Sequence, residues 1–444
     1  MKPTGRAPND RQFMATRAVL NLPRNKAASR RRWLVLAAAC SGTFAGFGSV
    51  VVFTFGVFMQ PLTKAFGWGR AEISLAFTLA ALTVAVCSPF LGRVIDRYPA
   101  RRIILPCTLT YALAFGSLGL LTPHIGHLLA VFVLLGVVAN GTTQLGYARV
   151  VSAWFDRSRG RALAAVMAGS GAGSMIFPPL AQELISLYGW RAAYGMLAGL
   201  IVLFGIPLTA AFLYEPQKES EPAETSREPG AKARASAHLL SLPFVCLMTA
   251  LALFSLATNG ITAHFPLVLV DRGVTPMRAA TIVSLTGLMS LLSRFLTGYL
   301  IDRLFAPRVL LSLFAASAGG VLLFVAGHSV AVLCAGAVLL GLGLGAESDS
   351  IPYLLTRYFG LAVFSELYGY TWSVYAVAGA LGPLLMGGMF DHTGTYRAPL
   401  LACSGAILAA ACCLLFLPKY GDSYHRWGTS YVKTGRSRSD SQAL

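Results

Sequence analysis

The sequence predicts an all-α membrane protein with twelve transmembrane helices in two pseudo-symmetric six-helix bundles. Three observations predict it. Of 444 residues, 55% are apolar and 12% charged, with a mean hydropathy of +0.64, whereas about a quarter of the residues in a soluble domain carry charge. About twelve runs of about 18 to 28 mostly apolar residues can be marked, each long enough to cross a hydrocarbon core of about 30 Å as a helix. Finally, GRVIDRYPARR in the first half has a partner in the second: Gly92, Asp96, Arg97 and Arg102 correspond to Gly298, Asp302, Arg303 and Arg308 at a constant offset. A chain that repeats itself half its length later reads as a duplication.

Charge sets the orientation. The formal net charge of +18 raises the question of a nucleic-acid partner. With the N-terminus inside, 28 of the 36 lysines and arginines fall in inner segments, six fall in outer loops, and Arg149 and Arg294 lie inside helices. This is the positive-inside pattern. Both termini are therefore expected in the cytoplasm, with the basic segments facing anionic lipid headgroups of the bilayer. No nucleic-acid partner is expected, because no recognition motif accompanies the charge. The eight cysteines sit in apolar runs without CxxC spacing or histidine companions, which reads as packing and predicts no metal. The first apolar run follows a long polar, basic stretch and is too long for a cleaved leader. The expected location is a bacterial inner (plasma) membrane, with the chain a monomer.

In chain order, residues 1–32 carry nine basic residues and three prolines and read as a cytoplasmic N-terminal tail. Residues 33–214 read as the N-terminal bundle, with spans near 33–60, 72–93, 103–121, 127–150, 162–184 and 192–213. In the first, CSGTFAGFGS supplies small residues for close helix approach, and Pro61 and Gly67 are expected to break the helix at the outer surface. The second ends in the repeated element, a latch in which Asp96 pairs with or caps a neighbouring helix end while the arginines stay in water. In the fourth, Asn140, Thr142, Thr143, Gln144 and Tyr147 form a polar patch that must face protein or a watery cavity; helix glue and substrate contact are both open for it. The fifth carries a Gly/Ala/Ser stripe suited to a sliding helix.

Residues 215–238 are polar and proline-bearing, with no apolar face, and read as a cytoplasmic linker. The C-terminal bundle follows over 239–418, with spans near 240–268, 278–300, 309–327, 330–353, 363–390 and 397–417, and then a tail over 419–444. The seventh span holds Asn259 and His264, and the loop after it, DRGVTPMRAA, corresponds to FGWGRAEIS. The tenth places Glu347 and Asp349 in an apolar run, about 200° apart around the helix, so both cannot line one cavity. The eleventh brings Tyr368, Tyr370, Trp372, Ser373 and Tyr375.

At GRVIDRYPARR and its echo, the sequence resembles a major facilitator superfamily transporter from about Trp33 to Pro418. The segments GVFMQPLTKAFGWGRAEIS, WFDRSRGRALAAVMAGSGAGS and SRFLTGYLIDR further resemble the monocarboxylate transporter and oxalate:formate antiporter branch. The resemblance implies the major facilitator fold, alternating access around a central site, and an arginine of the eighth helix that binds a substrate carboxylate; Arg294 matches it. Two departures matter. Ser290 stands where mammalian members have an aspartate four residues before the arginine, and the eleventh span lacks the lysine of the oxalate carrier, which counts against a dicarboxylate.

The residues themselves lead to the same place. Arg294 lies eight residues before Asp302, about 12 Å along the helix from its inner end, where a guanidinium needs a partner and fits a carboxylate bidentately. That partner is a substrate anion, an acid of the tenth span, or each in turn. Glu347, about 15 Å from the inner end, is a candidate proton carrier, as are Asp349 and His264; Glu347 or Asp349 pairing with Arg149 or Arg357 in a gate is the alternative. His264, Asn140, Asn259, Tyr147, Tyr370 and Trp372 are candidate substrate contacts, each with packing as the alternative reading. Gly92, Asp96, Arg97, Arg102, Gly298, Asp302 and Arg303 are the expected gating motif.

No HExxH, nucleophile elbow or Walker A sequence is present, so neither an enzyme nor an ATP-driven pump is expected and no cofactor is predicted. The expected function is secondary transport of a small organic anion, a monocarboxylate, coupled to protons. An anion exchanger, a drug or metabolite efflux carrier, and a non-transporting ligand sensor are the alternatives.

Overall fold

The computed structural model describes residues 26–155, 159–214, 239–327, 329–360 and 364–418. The linker 215–238, the tail 419–444 and residues 1–25 lie outside the described residues. Helices α1 (Lys26–Phe44) and α2 (Phe47–Phe66) form the first span, α3 (Arg70–Arg97) the second and α4 (Ala100–Ser117) the third. The fourth is α5 (Ile125–Thr142) with α6 (Gln144–Trp154), and α7 (Arg159–Gly205) with α8 (Pro207–Phe212) forms the fifth and sixth. The second half follows as α9 (Leu242–Val270), α10 (Pro276–Ile301), α11 (Ala306–Ala326), α12 (Val330–Phe359), α13 (Phe364–Thr393) and α14 (Arg397–Leu415).

Eleven helical stretches among the described residues are long and apolar enough to cross a membrane. The longest, 51 residues from Ala162 to Phe212, would run about 75 Å if straight, more than twice the hydrocarbon thickness. It bends at Gly189 (φ 78°, ψ 161°), a conformation open essentially to glycine alone, and so serves as two spans. With that stretch counted as two, the described residues supply twelve segments long and apolar enough to cross.

Local chemistry places the helix ends, with one correction. Pro61 lies inside α2 and does not end it; a single lost backbone bond is tolerated where neighbouring helices pack around the site. The stop is Gly67 (φ 75°), whose N–H donates to the Thr63 carbonyl. Its counterpart in the repeat, Gly273, takes φ 82°. The two halves thus turn at matched positions with the same left-handed residue, which only glycine adopts without strain.

Each bundle packs its own helices into a shared apolar core. Three seams join the bundles: α3 on α13, α7 on α10, and α2 on α9. The first two are one contact seen twice, because duplication maps the second span onto the eighth and the fifth onto the eleventh. At the third seam Gly56 meets the carbonyl of Ala263 and the ring of Pro266, an approach that any side chain would block. The loops at Gly67, Gly273 and Gly394 lie at the end of the bundle opposite the start of α1 and the end of α14, called here the distal end.

Candidate functional site

The site grows from the seam between α7 and α10. Gly287 packs directly on Ser174, and Leu291 on Gly171. Arg294 follows Gly287 by seven residues and so points within about 20° of the same direction. It therefore continues the face that meets the other bundle, and it is half-buried. On its flank, the Ser293 hydroxyl donates to the Leu342 carbonyl and ties α10 to α12. Across this corner the Arg294 guanidinium lies within electrostatic reach of Glu347 on α12 and Tyr375 on α13.

Glu347 is 1% exposed. Its position one helical turn after Gly343, which faces Ser317 and Phe254, turns it into the C-terminal bundle instead of the space between halves. Its Oε1 makes no hydrogen bond among the described residues and borders a cavity of about 10 Å³ shared with Leu251, Phe314, Ser350 and Leu414. Burying a carboxylate without a donor is costly. The nearby Arg294 charge offsets part of that cost.

Tyr375 closes the corner from α13. The Ser255 hydroxyl donates to its carbonyl at 2.9 Å, and Asn259 Nδ2 donates to the carbonyl and Oγ of Ser255 at 2.9 and 3.2 Å. Trp372 stacks on Tyr375 (centroids 5.3 Å apart, 21° between planes) and, more loosely, on Tyr368, and 41% of it remains exposed. Tyr370, two residues away, points about 200° from Trp372 and does not share this wall.

The remaining sequence candidates are placed elsewhere. Asn140 is spent as helix glue: its Oδ1 accepts from Ser88 at 3.1 Å and its Nδ2 donates to the Val84 carbonyl at 3.1 Å, tying α5 to α3. Tyr147 is fully buried in a cluster with Leu36, Ile104 and Val151, its ring against Gly42; it packs α6 on α1 and is remote from the Arg294 corner. The side chains of Asp349, Gln144, Arg149, Asp96 and Arg97, and the surroundings of Gly92, lie outside the described residues. Arg102, Asp302 and Arg303 are exposed. Asp302 caps the C-terminal end of α10, its N–H donating to Gly298, and the Arg303 guanidinium sits 4.1 Å from the Tyr299 ring centroid.

His264 is buried at the distal end of α9. Nε2 lies 3.0 Å from the Pro383 carbonyl and 3.0 Å from Ser74 Oγ, while Nδ1 lies 2.8 Å from the Tyr396 hydroxyl. A carbonyl only accepts, so Nε2 carries a proton and Nδ1 accepts from Tyr396. His264 thus joins α9, α13 and α3 across the halves, away from Arg294. Sequence reading did not single out Ser255, Ser74 or Tyr396, nor Tyr375 as a site residue. Their roles come from packing between residues more than a hundred positions apart, which no local pattern reports.

A family model described as Major Facilitator Superfamily matches residues 34–383. Human monocarboxylate transporter 11 is 25% identical over 87% of this chain and 83% of its own length. Bovine monocarboxylate transporter 13 is 25% identical over 87% and 89%. An uncharacterized MFS-type transporter of Bacillus subtilis, YcxA, is 24% identical over 82% and 88%. Among solved structures, the nucleoside transporter NupG superimposes with a TM-score of 0.73 at 13% identity, covering 88% of this chain and 100% of that one. An inward-facing, unoccupied bacterial homolog of the human lysosomal transporter Spinster gives 0.64 at 17% identity, covering 91% and 98%. These likenesses in structure are likenesses of fold.

Proposed function

We propose that this chain, which belongs to the major facilitator superfamily and so is a membrane carrier and not an enzyme, moves a small monocarboxylate together with a proton. The observation that carries the reading is the Arg294 corner: a guanidinium on the face between the halves, with a buried carboxyl and Tyr375 in electrostatic reach and a partly exposed indole, Trp372, stacked on Tyr375. The resemblance to monocarboxylate transporters supports the same substrate class.

The proton follows from charge. When the site is empty, the Arg294 charge offsets part of the cost of an ionised Glu347. A substrate carboxylate binding bidentately to Arg294 competes for that charge and leaves Glu347 as a second anion in an apolar core, which is costly. Protonation of Glu347 removes the conflict, so anion and proton bind together. Asn259 and Tyr375 form the polar floor beside the anion, and Trp372 covers its apolar side. With the two bundles rocking about the paired seams, the corner is exposed to one side of the membrane and then the other. The membrane is read as a bacterial inner membrane, with both termini cytoplasmic.

The test is uptake into proteoliposomes. Arg294→Ala is expected to abolish carboxylate uptake while the purified protein keeps its melting temperature and monodispersity, and Arg294→Lys, which keeps charge but loses the planar fork, to retain a small fraction. Full uptake by the alanine variant overturns the assignment.

A further inference from the structure

At the distal end, the start of α3 is held by four residues from the other bundle. The Arg70 guanidinium meets both oxygens of Asp271 (3.0 and 3.3 Å) and lies 3.6 Å from the Phe390 ring centroid and 4.9 Å from that of Tyr396. The Asp391 carboxylate accepts from the backbone N–H of Arg70 (3.2 Å) and of Ala71 (2.8 Å). These are unsatisfied donors at a helix N-terminus, where an anion is favoured by the helix dipole. Gly69, just ahead, has its N–H capped within α3 by Glu72. The cap from Asp391 is therefore an addition made across the seam.

A second layer lies beneath. Ser74, one turn on, meets His264, and the Thr78 hydroxyl donates to the Ala380 carbonyl at 2.6 Å. Tyr396 belongs to both layers: its ring lies under Arg70 and its hydroxyl bonds His264. Separating the halves here breaks a bidentate ion pair, a two-bond helix cap and two buried hydrogen bonds along consecutive turns of one helix. Hydrogen bonds of this kind to charged groups are about twice as strong as neutral ones.

We propose that Arg70, Asp271 and Asp391 form the latch that closes the distal end of the transport path, with His264 and Tyr396 as its inner layer, so that the conformation described is the distal-closed one. The latch rests on the two bundles moving relative to each other but not on what they carry. Ion pairing and capping are concentrated at one helix start, so small changes there shift the balance between conformations.

The experiment reads distance, not transport. Spin labels are introduced through a ketone-bearing amino acid, leaving the native cysteines in place, at Thr122 on a distal loop of one half and His392 in the last turn of α13 of the other, and in a second sample at Tyr98 and Leu304 on the opposite end. Pulsed dipolar spectroscopy is recorded in nanodiscs without substrate. In Asp271→Asn with Asp391→Ala, the distal pair is expected to move to longer distances, with a several-fold gain in the open population, and the opposite pair to shorter ones. Exchanging the charges (Arg70→Asp with Asp271→Arg) is expected to restore much of the closed distribution lost in Arg70→Asp alone. If the double variant does not fold, Asp271→Asn alone gives the same reading. Unchanged distal distances in a folded variant, or no recovery on charge exchange, overturn the latch. Neither outcome touches the carboxylate reading, which stands or falls on uptake by Arg294 variants.

Discussion

Arg294 and Glu347 sit on neighbouring helices yet face different spaces, one the seam and the other the C-terminal core. In the proposed mechanism that division separates substrate binding from charge compensation. Trp372 and Tyr370 divide in the same way: the indole stacks within the site, while the Tyr370 ring, 45% exposed, points to another face. Trp372→Ala is therefore expected to raise the apparent KM for carboxylates roughly two- to tenfold, the equivalent of losing about 0.5–1.5 kcal/mol of aromatic contact. Tyr370→Ala is expected to leave it within error. Equal effects from both, measured as initial uptake rates against concentration, would show that the helix face is misassigned.

At the scale of elements, single glycines set where helices end or bend. Gly67 sits in the left-handed region and Gly189 in one that is more restricted still. Gly67→Ala and Gly273→Ala are each expected to cost about 1 kcal/mol, read as modest and similar falls in melting temperature. The similarity follows from their matched places in the repeat. Gly189→Ala is expected to lower it further, since its extended positive-φ geometry suits almost no other residue. A melting temperature for Gly189→Ala above that of Gly67→Ala would contradict this ranking.

At the scale of the whole molecule, two bundles share a corner that brings a cation, Arg294, within electrostatic reach of a buried acid, Glu347. If an anion and a proton enter together, adding substrate to a weakly buffered vesicle suspension makes the outside more alkaline, because protons leave it with the anion. Glu347→Gln keeps the shape of the side chain but can no longer bind and release a proton. The expectation is that it still exchanges carboxylate across the membrane but no longer shifts external pH or accumulates substrate against a gradient. Uptake by the unaltered protein with constant pH would favour anion exchange instead.

The membrane class, the count of crossings and the duplication were legible in the sequence, because hydropathy, segment length and a repeated motif are properties of contiguous residues. Arg294 stood out in the sequence as a guanidinium in an apolar run, and its role in binding is the proposal that uptake by its variants tests. The tertiary structure decided the facing of the rest. Asn140 and Tyr147 have the same polar character as Asn259 and Tyr375, yet the first two are held inside the N-terminal half, while Asn259 bonds Tyr375, which lies within electrostatic reach of Arg294. His264 looked like a candidate substrate or proton contact and stands in the distal seam. Which way a polar side chain in a helix turns is set by the partner helix that satisfies it. That partner comes from a distant part of the chain, so only the packed bundle specifies it.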